Sequence, residues 1–366
     1  MREGRTLEQL ARELTRQRET RRDFIVPTPV MHMETKEAGT RVVLQTKTVE
    51  GFEVSDWAHG QIASHTQIPR AYYDRIRQHE KQEVRAMFDT TVNTLLAAYP
   101  EKRMVRTLDG RMRSFHSNKF RPYDNFELAE AILPALPQAG AEVVSCEVTE
   151  KKFYLKVISP RVTHEVKKGD IVQAGLVISN SEVGAGSLKV EPLLHRLVCL
   201  NGMIAEDASF RKNHAGKALG QGGDMAVEFY ADDTRRQTDM AVFMQIRDIV
   251  RATLSKEGFR RIAERFAAAQ DDVIEADAFE VIEVAQRQLG FREEEKRGIL
   301  QHLIEGKEMN RFGLVNALTR YSQDVGDYDR ATEFERMGGQ VLEMKAGEWK
   351  ALSTGTGGRE LRAAEA

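Results

Sequence analysis

Cysteine is nearly absent: Cys146 and Cys199 are the only two in 366 residues. Two thiols are too few for a disulfide framework or a thiolate zinc cage, and they fit a reducing compartment. No stretch approaches the ~18 consecutive apolar residues of a membrane helix. The N-terminus, MREGRTLEQLARELTRQRETRRDF, is charged throughout and lacks the apolar run of a signal peptide. These absences lead to the expectation of a soluble, cytoplasmic protein without a membrane partner. An excess of one charge is missing too. Lys and Arg number 54 against 56 Asp and Glu, a net charge of -2, so nucleic-acid binding has to come from local clustering. No internal repeat at solenoid periods is present.

What is present is a core. Hydrophobic residues make up 41% of the chain, enough for one large domain or two ordinary ones. Leu7, Leu10, Ala11 and Leu14 recur at helical spacing. The two prolines of FIVPTPVM (24–31) predict an extended segment. RVVLQT (41–46) and FEV (52–54) read as strands. Ser55 caps a helix beginning DWAHGQIA, and Pro69 suits the first turn of the next. QEVRAMFDTTVNTLLAAY (82–99) puts Val84, Met87, Val92, Leu95 and Leu96 on one stripe. Asp109-Gly110 between alternating segments is a hairpin signal, and Asp124 or Asn125 can cap FELAEAILPAL.

From 142 to 205 the period becomes that of strands. EVVSCEV and KFYLKVIS pair as a hairpin, DIVQAGLVIS follows, and SLKVEPLLHRLVCLNGMI supplies one or two more. Short consecutive strands predict an antiparallel sheet. Residues 207–225, rich in Gly and Lys, read as a surface loop. After about 232 the pieces are amphipathic helices, the first with Met240, Phe243, Ile246, Ile249 and Val250 on one side. The expected fold class is α+β: an antiparallel sheet core flanked by helices, with a mainly helical C-terminal half. The divisions are an N-terminal helix and extended arm (1–40), an α+β domain (41–230), a helical region (231–345) and a flexible tail (346–366).

Charge does cluster locally. Window 101–125 holds seven bases against three acids, interleaved with Phe115, Phe120 and Tyr123. Arg106, Arg111 and Arg113 fall on the hairpin, with Lys119 and Arg121 after it. Lys151, Lys152 and Arg161 form a second basic run, and Arg211, Lys212 and Lys217 a third. Basic residues with aromatics among them suit a phosphate backbone and stacked single-strand bases.

The loop LVISNSEVGAGSLKV (176–190), followed by HRLVCLNG (195–202), holds the candidate groups for chemistry. Cys199 and His195 share a strand face but lie about 13 Å apart, too far for a thiol–imidazole pair. Gly184, Gly186, Ser187 and Lys189 miss the phosphate-loop spacing. His164, Glu165, Glu182, His195 and Asp207 match no zinc or calcium pattern; His116, His214 and His302 are scattered. No metal or cofactor is expected. The remaining reading is a shaped loop of Asn180, Glu182, Gly184 and Gly186, with Glu182 paired to Arg196 or Arg161.

The ordered runs IPRAYYDRIR, RTLDGRMRSFHSNKFRPYDNFELAEAILP, GLVISNSEVGAGSLKVEPLLHRLVCLNGMI and GLVNALTRY…YDRATEFERMGGQVL resemble a phage and plasmid family known as a domain of unknown function (number nine-three-two), over about residues 55–343. The resemblance implies a mobile-element context in bacterial cytoplasm and no catalytic residues. Together these readings lead to the expectation of a DNA-handling protein, binding or annealing single strands in recombination or replication and self-associating. DNA is favoured as the partner. Arg106, Arg111, Arg113, Lys119, Arg121, Lys151, Lys152, Arg161 and Arg196 would hold phosphates, with Phe120 and Tyr123 stacking. The rival expectations are a non-enzymatic interaction protein, such as a host-defence antagonist or assembly factor, and an enzyme using Cys199 and His195.

Overall fold

The computed structural model describes residues 1–205, 210–214, 232–253 and 256–356. Most of the 207–225 loop, including Asp207 and Lys217, lies outside them. Its described part is not loop throughout: Phe210–Lys212 pairs with a neighbouring strand.

Helix α1 (Leu7–Thr20) starts on a capping box between Thr6 and Gln9. The chain then builds a first sheet from β1 (Arg22–Pro27), β2 (Met31–Lys36), β3 (Gly39–Gln45), β4 (Val49–Val54), β5 (Lys102–Leu108) and β6 (Arg111–Ser117). Its order is β1-β5-β6-β4-β3-β2. β4 and β6 run parallel and the other neighbours antiparallel. The expected extended arm is therefore built in, as an edge strand at each side of this sheet. β5 and β6 turn on Asp109 and Gly110, both at positive φ (52° and 74°), which the tight hairpin requires.

Helices α2 (Asp56–His65), α3 (Arg70–Arg77) and α4 (Gln82–Ala98) cover one face of that sheet. Ser55 caps α2 by accepting from the Ala58 N–H. The buried stripe of α4 is Arg85, Phe88, Val92 and Leu96, while Met87 is 51% exposed. The expected stripe was off by about a third of a turn because Arg85 buries its stem and donates to the His79 and Glu80 carbonyls.

Helices α5 (Asn125–Ile132) and α6 (Ala135–Gln138) lead to a second, antiparallel sheet. It contains β7 (Glu142–Val148), β8 (Phe153–Lys167), β9 (Asp170–Asn180), β10 (Leu188–Arg196) and β11 (Asn201–Ile204), in the order β11-β10-β9-β8-β7. β12 (Phe210–Lys212) pairs with β10. Of β9 only Ile171 is exposed, because both faces are covered, which is why its sequence is apolar without alternation. On one face Leu176 and Ile178 meet α1, α5 and α7 (Asp232–Thr253), while Val172 and Ala174 meet α8 (Lys256–Ala268). In α7, Val242, Phe243, Ile246 and Val250 are buried and Met240 is 46% exposed.

The other face carries Val177, Tyr154, Lys156 and Glu191 against α12 (Tyr328–Glu343). Around it pack α9 (Ala278–Leu289), α10 (Lys296–Gly306) and α11 (Arg311–Tyr321). The expected free tail begins instead with α13 (Ala346–Ser353), whose Trp349 and Leu352 are buried in the helical core. The class is α+β, with strands mostly in the N-terminal half and helices in the C-terminal half.

Candidate functional site

The glycine-spaced loop after β9 is where the two sheets meet. Glu182 is buried there. It accepts from Arg113 Nη1 at 3.1 Å and from the Asn125 N–H at 2.8 Å, while its own carbonyl accepts from Arg106 Nη1 at 2.9 Å. Arg106 also donates to Asp23 and Asp124, and Arg21 reaches Asp124 from the end of α1. Arg21 also reaches Glu127, so three guanidiniums and four carboxylates interlock in a knot that is buried at Arg106, Arg113 and Glu182 and open to solvent at Asp23. Burial works to raise Glu182, but Arg106 and then Arg113 outweigh it and hold the carboxyl below its usual range. Asp124 absorbs the cost: burial pushes it up to about 6, and Glu182 adds to the rise against Arg106. Asp124 sits at the N-cap of α5 but makes no cap bond, because its carboxylate is engaged in the knot.

The next residues are gripped by α2. The Val183 carbonyl accepts from Trp57 Nε1 at 2.7 Å and from Gln61 Nε2 at 3.2 Å. Asn180 donates to the Tyr123 carbonyl and to Asn125, and Ser181 Oγ donates to the Lys151 carbonyl. The expected partners of Glu182, Arg196 and Arg161, are thereby corrected. Arg196 is buried against Asp170 at the opposite end of β10, and Arg161 is exposed far along β8.

Beyond this anchor the loop opens. Gly184 takes φ +75°, and a Cβ there would sit 2.5 Å from His116 Cε1. The open side is a groove of about 360 Å³. It is lined by Gly184, Gly186, Lys119 and three rings: His116 lies flat on Phe120 with centroids 3.7 Å apart, and Phe120 stacks on His214 at 5.4 Å. Burial, then Arg106, hold His116 down to about 3, and burial lowers His214 too, so both imidazoles are neutral. Exposed bases surround the groove. Lys119 lines it, Lys151 lies over the Trp57 ring, and Arg211 donates to Ser187. Half-buried Lys152 reaches Gly186.

The expected phosphate contacts therefore divide. Arg106, Arg113 and Arg196 are consumed by carboxylates, so this structure does not present them to a phosphate. Tyr123 is buried and cannot stack on a base. Arg121 is tied to Asp239. Arg111 is exposed, 3.9 Å from Glu53. Lys119, Phe120, Lys151 and Lys152 do converge, with Gly184 and Gly186. Sequence reasoning missed His116, His214, Trp57 and Gln61. His116 and His214 are nearly a hundred positions apart, and only the folded chain stacks them around Phe120.

The Cys199 constellation does not assemble. Cys199 lies in the β10–β11 turn, where Arg196 Nη1 is 3.6 Å from its sulfur, and His195 is turned to Gln173. Glu182 is at the other end of β10, roughly 25 Å away by strand length. Among the described residues, no group of three or more His, Cys, Asp or Glu side chains could hold a metal, and no helix is long and apolar enough to cross a membrane.

Comparison with curated proteins and with solved structures finds no match. A family model, described as "Domain of unknown function (DUF932)", matches residues 116–345. The match is narrower than the expected 55–343. It takes in the ring stack, the loop, the second sheet and the helical bundle, and leaves Arg106, Arg113, Trp57 and Gln61 outside. Since it spans well over half of the chain, the protein belongs to the DUF932 family.

Proposed function

We propose that the protein binds single-stranded nucleic acid, DNA in preference, at the groove beneath the 180–187 loop. The carrying observation is the His116–Phe120–His214 stack in an open groove with Lys119, Lys151 and Arg211 around it. Neutral rings offer bases an apolar aromatic surface, and the lysines and arginine offer phosphates a positive border. A glycine-permissive backbone lets a strand approach closely. Binding of this kind serves strand handling or annealing in recombination or replication of a mobile element in the bacterial cytoplasm, a role that needs no cofactor and gains from self-association along a strand.

Fluorescence anisotropy against labelled single- and double-stranded DNA, at about 50 and 200 mM salt, tests the reading. Single strands should bind more tightly, with affinity falling steeply as salt rises. Lys119→Glu and Lys151→Glu should each weaken binding and make the log–log salt slope shallower by about 0.7 per lost phosphate contact. Absence of binding to either form at low salt sinks the proposal.

A further inference from the structure

The outer face of the first sheet leads into this groove. Across three adjacent strands the register sets Ile25 of β1 opposite Met104 of β5, and Met104 opposite His116 of β6. The neighbouring row, Phe24, Val105 and Phe115, packs into the core under α2–α4. Strand alternation therefore turns Ile25, Met104 and His116 outward. Ile25 is 56% exposed, and Met104 and His116 are half-buried. With strands about 4.8 Å apart, the row runs about 10 Å before His116 hands over to Phe120.

The row has one covered flank and one open flank. On one side lie Asp23, Arg106 and Ser114, where the knot with Glu182 closes the face. On the other side lies Lys102, exposed on the same face of β5, with Lys119 at the groove end. An apolar row bordered by lysines complements a chain with flat apolar groups on one side and phosphates on the other. A duplex hides its base faces within its own stack, so this complementarity selects an unpaired strand.

Building on the single-strand reading of the groove, we propose that bases of the bound strand lie along Ile25, Met104 and His116 and enter the groove at Phe120, with phosphates toward Lys102 and Lys119. Met104 gives the row an adaptable, polarizable surface that tolerates different bases. Neutral His116, stacked on Phe120, neither repels nor attracts phosphate at the end of the row.

The experiment compares the intact protein binding oligothymidylate with its binding to an abasic strand of equal length, by anisotropy at fixed salt. The wild type should prefer oligothymidylate. Met104→Ala and Phe120→Ala should each lower that preference by about tenfold, with the salt slope unchanged. Phe120→Tyr should retain it. Ile25→Glu alters an exposed side chain, so folding is not at stake, and it should lower the preference severalfold.

A preference lost in Phe120→Ala but kept in Met104→Ala and Ile25→Glu would overturn the base track and keep the groove reading, whereas equal binding of the two strands would overturn both. Absence of binding to any strand overturns both. A wild-type dimer split by Ile25→Glu, with DNA affinity unchanged, assigns the face to a second copy and also overturns the track.

Discussion

Two sets of charges in this molecule are built differently. Under the 180–187 loop, Asp23, Asp124 and Glu182 interlock with Arg21, Arg106 and Arg113. Between β8 and α12, Lys156 meets Glu335 in a single ion pair at 2.6 Å, both side chains 0% exposed, with the Met1 ammonium acting on both. The knot also satisfies main chain: Glu182 takes the Asn125 N–H, and Arg106 donates to the Glu182 carbonyl. The pair satisfies only itself, with Lys156 4.7 Å from the Tyr328 ring centre and Glu335 Oε1 left without a hydrogen bond. The difference separates a pair that apolar residues can replace from a network whose removal strands peptide groups.

The largest expected effect breaks the pair on one side. Lys156→Met leaves a buried carboxylate unpaired and should cost about 3–5 kcal/mol in urea denaturation. Adding Glu335→Leu should bring stability back to within about 1 kcal/mol of the wild type, or above it. A double variant as unstable as the single one would mean the pair has a partner beyond itself.

The knot should behave otherwise. Glu182→Leu should cost about 3 kcal/mol. Adding Arg113→Met should not restore it, because the Asn125 N–H remains without its acceptor and Arg106 without the facing carboxylate charge, although it keeps the main-chain carbonyl at 182. Full recovery in the same denaturation assay would reduce the knot to another exchangeable pair.

The sequence disclosed local structure well and long-range charge pairing poorly. Asp109-Gly110 announced its hairpin because only a narrow set of residues takes positive φ in succession. Ser55 announced α2 because a hydroxyl before a helical run answers an orphan N–H. The 142–205 strands were readable from period and turns. Arg106 and Arg113 looked like a phosphate-binding face because alternation gives the side of a strand, not what covers it. Their cover, Glu182, is about 70 positions away on another sheet. The two-sheet division stayed hidden for a related reason: the parallel contact of β4 with β6 spans three helices and leaves no local mark. The groove was half legible. Phe120, Lys119 and the glycines stood out by composition, whereas His116 and His214 acquire meaning only from one another.

The smallest effect sharpens the comparison through pH, because two neighbours at the knot titrate in opposite senses. His116 is held down to about 3 from 6.5, so the unfolded chain takes up a proton first as pH falls. Its contribution to stability is present above pH 6.5 and is lost as pH falls toward 3. Asp124 is pushed up to about 6 from 3.8, so the folded chain takes up a proton first. Its contribution is present below pH 3.8 and is lost as pH rises through 6. Each acts with a slope of at most about 1.4 kcal/mol per pH unit. Between pH 4 and 6 the two oppose one another, and either substitution should uncover the other. His116→Asn should make stability rise less steeply with pH in that window, and Asp124→Asn should make it rise more steeply. Urea melts across the window read both slopes. Equal slopes in the two variants would mean that His116 and Asp124 titrate as they do in the unfolded chain, which a ring closed into the stack and a carboxylate closed into the knot cannot do.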